Sequence, residues 1–195
     1  MYDTYINSLS DPDGFRLKAQ SVSSQLGINV DWLYSVIYIE CHFRAWDRNP
    51  YTGAIGLIQW MPSTLAGMGY TANDIDQMTE VQQLDLVLRY LKPYKGKLNT
   101  FNDLYLAVFY PVLAGRGTEL NYQLPDYVGN ANTSYQNPNG SITIRSIMEK
   151  IKSLLPAQAK GFVDGVVNYW PLGIAVFGVV FYLCKKNNKP KKRRR

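Results

Sequence analysis

A mostly helical domain followed by a single transmembrane helix is the architecture that this 195-residue sequence predicts. Three observations carry that reading. Leu33, Val36 and Ile37 lie seven, four and three residues before Glu40, so all four share one helix face. Ile144, Ile147, Met148, Ile151, Leu154 and Leu155 form one side of an amphipathic helix that Pro156 stops. Positions 165 to 184 contain no charge and are bounded by Asp164 and Lys185.

The remaining elements follow from local signals. Asp11-Pro12-Asp13-Gly14 is turn-like and predicts a helix from Phe15 to Leu26, ended by Gly27. Asn29 or Asp31 then caps the Glu40 helix. Residues 44 to 56 run through Asp-Arg-Asn-Pro-Tyr-Thr-Gly and read as loop or a small hairpin. A short helix follows Pro62. Thr79 and Gln82 have capping-box spacing and open a helix to Leu91. Asn102 to Leu113 reads as an apolar helix broken near Pro111. Residues 117 to 140, rich in Asn, Gly and Pro, read as a long surface loop. The folded domain is accordingly expected over residues 1–155, with a linker over 156–164.

At 1.5 Å per residue the uncharged run 165–184 makes a helix of roughly 30 Å, the thickness of a bilayer's hydrocarbon. Tyr169 and Trp170 sit near one end, where an aromatic belt belongs. Eight of the 21 basic residues fall in the tail 185–195, leaving 13 basic against 15 acidic elsewhere. The folded part is therefore near neutral, which argues against a nucleic-acid-binding domain. The basic tail is expected on the inner side of the membrane, able to contact anionic lipid or packaged nucleic acid.

Glu40 is the only charged residue between Asp31 and Arg44. A carboxyl on an apolar face is either held by an arginine or backbone donors, or keeps its proton and serves as a general acid. His42 is the only histidine, so a two-histidine zinc site is excluded. No metal or cofactor is expected. Fifteen tyrosines and four tryptophans suit either an aromatic core or a groove for sugars.

The segment Gly53-Ala54-Ile55-Gly56-Leu57-Ile58-Gln59-Trp60-Met61-Pro62-Ser63-Thr64 follows Glu40 by about a dozen residues. Its glycines permit close backbone approach to a ligand, and Gln59 offers both a donor and an acceptor. Together, Glu40, Phe43, Gly53, Ala54, Gly56, Leu57, Gln59, Met61, Pro62 and Thr64 resemble the motifs of the lytic transglycosylase family, of the soluble lytic murein transglycosylase and goose-type lysozyme class. The resemblance covers roughly residues 15 to 115. A third motif is matched loosely by residues 106–115.

The resemblance implies a lysozyme-like fold and Glu40 as the catalytic acid. It puts Gln59 in the sugar site, with Gly56, Leu57 and Met61 beside it. Tyr110 becomes the tyrosine that hydrogen-bonds near the acid. Cys41 stands where the family has serine, and Pro111 where it has asparagine. The implied substrate is peptidoglycan glycan, cut at the MurNAc–GlcNAc bond. Asp47 is the only other acid before Asp74 and reads as a solvated loop residue, so a single-acid mechanism is expected rather than a two-carboxylate one. The alternatives are a hydrolytic muramidase on the same fold and a non-catalytic wall-binding membrane protein. Met1 to Ser10 carries Asp3 and no basic residue, unlike a secretory signal. A wall-degrading domain with a membrane anchor and a basic tail is the combination expected of a bacteriophage virion membrane protein; the bacterial cell membrane is the other setting.

Overall fold

The computed structural model describes residues 1–163. The apolar run 165–184 and the basic tail 185–195 lie outside the described residues. Among the described residues the regular elements are helices, joined by loops that hold only isolated β-bridges. None of these helices is long and apolar enough to cross a membrane.

The helices are α1 (Asp3–Ile6), α2 (Pro12–Leu26), α3 (Val30–Cys41), α4 (Pro62–Gly67), α5 (Ala72–Asp76), α6 (Glu80–Leu91), α7 (Phe101–Phe109), α8 (Asp126–Ala131), α9 (Ile144–Leu154) and α10 (Ala157–Val163). Their starts are written in side chains. Asp11 accepts from the Gly14 amide to open α2, and Pro12 in the first turn lacks only an N–H that would have no helical partner. Asn29, not Asp31, caps α3. Thr79 and Gln82 form the expected capping box. Thr71 with Asp74, Thr100 with Asp103 and Thr143 with Ser146 form three more. Gly27 ends α2 at φ 75°.

Helix α3 lies at the centre, with α2, α7 and α10 packed around it. Leu33, Val36 and Ile37 are wholly buried, each contributing about 1.5–3 kcal/mol by leaving water. Helix α2 also packs along α6. This packing fixes the C-terminal end of α3, and with it Glu40.

Three expectations are corrected. The stretch 117–140 is not simply loop: it carries α8 and a 3₁₀ turn, Thr133–Tyr135, and buries Leu124 and Val128. Its few apolar residues are spaced too irregularly to announce a helix, yet they pack on the body. Residues 157–163 are not a free linker. Pro156 ends one helix and its carbonyl accepts from the Ala159 amide to start α10. Ala159 and Val163 are buried, and the Trp32 indole donates to the Phe162 carbonyl at 3.1 Å. On α9, Leu154 is exposed, because the chain turns extended at Leu155 and buries that residue instead.

Candidate active site

Glu40 sits in the last turn of α3, partly buried. Immediately after it the backbone turns into the left-handed region at His42 (φ 52°) and Phe43 (φ 63°). Two such residues in succession cost roughly 1–2 kcal/mol each. Phe43 offsets the cost by packing among Tyr2, Tyr5, Phe15 and Tyr34, with ring centroids 5.6 to 6.2 Å away. The aromatic cluster thus holds the turn that follows Glu40.

The second wall is the segment from Ala45 to Met61. Ile55 and Trp60 exchange both backbone hydrogen bonds, closing a tight hairpin over Gly56–Gln59. Gly56 turns it at φ 89°, and a Cβ there would come within 2.6 Å of the Trp60 ring and 3.0 Å of Gln83 Oε1. Gln83, buried in α6, organises the hairpin from below. Its Oε1 accepts from the Leu57 amide at 3.0 Å, and its Nε2 donates to the Ala45 and Ile75 carbonyls. Cys41 joins α3 to the hairpin: its thiol donates to the carbonyls of Ile37 and Leu57. Burial pushes that thiol up to about 12, so it stays protonated and a donor. The linking position of the expected serine is therefore occupied by a weaker donor.

Between this hairpin, α7 and the α8–3₁₀ segment lies a cleft of about 490 Å³, lined by Glu40. That size suits a small-molecule or sugar site. Gln59, Met61 and Tyr110 line it. Gly56 and Leu57 do not. Leu57 is wholly buried and Gly56 lies against Trp60, so both shape the hairpin rather than face the cleft. Gln59 Nε2 donates to the carbonyls of Asp47 and Gly56 at 3.1 and 3.2 Å. Its side-chain carbonyl is left as the acceptor.

Tyr110 does not partner the acid. Its hydroxyl pairs with that of Tyr127 at 2.7 Å. Pro111 is the reason: a residue before proline is pushed out of helical geometry, and Tyr110 stands at φ −149°, ψ 85°, beyond the end of α7. The tyrosine that bears on Glu40 is Tyr105, about one and a half turns earlier on α7; it is nearly fully buried and lines the same cleft. In the sequence the loose third motif points to Tyr110 and leaves Tyr105, just outside it, unmarked. The signal available was its place, two positions after Asp103 in the capping box of an apolar helix.

Burial raises the Glu40 carboxyl to about 7, and the Tyr105 hydroxyl bond opposes that rise. Among the described residues no cation pairs with it. Asp47 is engaged elsewhere: Arg44 Nε donates to its carboxylate at 2.6 Å, and it does not line the cleft. Arg48, its sequence neighbour, pairs with Asp76 instead.

The chain matches no protein-family model and no curated protein.

Among the described residues that line the cleft, Glu40 is the only carboxyl. Asn49 and Asn132 add amide groups, and Tyr105, Phe109, Tyr127 and Tyr135 add aromatic surface. Such a cleft can stack sugar faces, hydrogen-bond hydroxyl and acetamido groups, and deliver one proton near neutral pH. Among the described residues no cluster of three metal-ligating side chains occurs.

Proposed function

We propose that the protein is a lytic transglycosylase that cleaves the MurNAc–GlcNAc bond of peptidoglycan glycan strands, with Glu40 as its single acid and base. The observation that carries this reading is the lone carboxyl of the cleft, raised to about 7 by burial and joined by a tyrosine rather than a cation. The packing of helices around α3 supports a lysozyme-like domain.

The proposed cycle is the one that the family resemblance implies, with Glu40 in the place of the acid. Protonated Glu40 gives its proton to the glycosidic oxygen as the bond to C1 breaks. The substrate's own acetamido group shares the positive charge developing at C1. Glu40, now ionised, takes the proton of the C6 hydroxyl as that oxygen attacks C1. A 1,6-anhydro sugar leaves, and Glu40 is protonated again. Tyr105 supports the ionised stage by donating to the carboxylate. No second carboxylate is required, and the engagement of Asp47 by Arg44 favours this route over two-carboxylate hydrolysis. Gln59 Oε1 and Asn132 Oδ1 are suited to the sugar's N–H and hydroxyl donors, and the Asn49 amide N–H groups to its oxygens.

The apolar run 165–184 and basic tail 185–195 carry the proposed setting: anchorage in a bilayer, with the domain facing the cell wall and the tail meeting anionic lipid or packaged nucleic acid. A virion membrane places such a domain at the wall during entry. Immunodetection in purified particles tests this, and protein confined to host cytosol contradicts it. Zymography on purified peptidoglycan tests the activity: the wild type clears the substrate and Glu40→Gln does not.

A further inference from the structure

Tyr135, in the 3₁₀ turn that walls the cleft, plays no part in the cycle above, yet its hydroxyl lies 3.4 Å from that of Tyr105. Three rings fix this arrangement. Phe109 stacks parallel to Tyr105 at 6.1 Å, and Tyr135 meets Phe109 edge-on at 5.1 Å. The direction of the bonds follows from valence. Once Glu40 is ionised it only accepts, so in that state the one Tyr105 proton turns to it. The Tyr105 oxygen can then only accept from Tyr135. At 3.4 Å this bond is long, as catalytic hydrogen bonds often are before substrate binds.

We propose that Tyr135 is a positioning residue that acts on Glu40 through Tyr105, coupling the α8–3₁₀ wall of the cleft to the proton on the acid. This rests on the catalytic role given to Glu40. Tyr127, Val128 and Asn132 of the same wall also line the cleft. A glycan bound against them sets where the Tyr135 hydroxyl sits. Drawing it toward Tyr105 makes Tyr105 a better donor and favours the ionised acid after the first proton transfer.

The other titratable groups around Glu40 do not compete for this role. Tyr90 on α6 feels the Glu40 charge, but its hydroxyl donates to the Ala107 carbonyl. The Cys41 thiol is turned to Ile37 and Leu57. Among the described residues no lysine, arginine or second carboxylate bears on Glu40.

The test is a ¹³C NMR titration of glutamate-labelled full-length protein in detergent micelles, with the Glu40 signal identified by its loss in Glu40→Gln. Tyr135→Phe keeps the ring against Phe109 and removes only the hydroxyl. One hydroxyl polarises the next bond by about 10–30%, so the Glu40 midpoint should rise by roughly 0.2–0.5 of a pH unit. Tyr105→Phe should raise it further, and the double variant should match Tyr105→Phe alone. The alkaline limb of the kcat/KM profile should move with the midpoint. No shift in Tyr135→Phe, or an equal added shift in the Tyr105→Phe background, overturns the coupling. The titration needs no substrate, so an inactive wild type would remove the proposed activity and leave this result standing.

Discussion

Replacing Glu40 by glutamine should stabilise the protein in alkaline solution while abolishing cleavage. The carboxyl titrates near 4.5 when exposed and at about 7 in the fold, because burial disfavours its charged form. Between those values the folded chain holds a proton that the unfolded chain has lost. Stability therefore falls as pH rises through that window, is undiminished below it and levels off above it. A rise from 4.5 to about 7, at about 1.36 kcal/mol per unit, amounts to about 3 kcal/mol. Water in the open cleft reduces this to roughly 2–3 kcal/mol. The Glu40→Gln variant has no such window, because an amide does not titrate in this range. Thermal unfolding of both proteins at pH 4 and pH 8.5 reads the difference. The advantage of Glu40→Gln should grow by roughly 4–12 °C between the two, taking about 2–4 °C per kcal/mol for a chain of this size. Burial also raises Asp31, at the other end of α3, but that contribution is present in both proteins and cancels. A difference that stays constant with pH refutes the buried-acid reasoning.

Asp47→Asn should retain most glycan-cleaving activity, because its carboxylate faces Arg44 rather than the cleft; kcat/KM on purified peptidoglycan checks this, and a loss as deep as that of Glu40→Gln would favour the two-carboxylate mechanism. Gln83→Leu should destabilise the fold by about 2–4 kcal/mol in urea denaturation, since it strands the Leu57 amide and the Ala45 carbonyl in the interior. Gly56→Ala should cost about 2–4 kcal/mol in the same assay, combining a strained φ of 89° with a collision against the Trp60 ring. Both variants should lower activity through the hairpin without moving the Glu40 midpoint far.

The elements that were readable share one property: their cause is local. Thr79 and Gln82 sit at capping-box spacing, Gly27 stands where α2 must stop, and Leu33, Val36 and Ile37 repeat at the helical period. Glu40 was legible for the same reason, as a charge on an apolar face. What escaped depends on contacts between distant parts of the chain. Gln83 looks like one polar residue of an amphipathic helix, and only the fold brings it under Leu57, 26 residues away. Tyr135 sits in a stretch whose composition reads as loop, and its meeting with Tyr105 spans 30 residues. Tyr110 went astray through a local effect that was visible, Pro111, whose consequence was the loss of helical geometry at the preceding residue. Gly56 and Leu57 belong to the motif but serve the shape of the hairpin.

Mass spectrometry of the fragments released from purified peptidoglycan bears most directly on Glu40 working alone as acid and base. Muropeptides ending in 1,6-anhydro sugar are the expected product, each lighter by one water than its hydrolytic counterpart. Reducing ends, with no anhydro species, would contradict the account and assign the cleft to a muramidase.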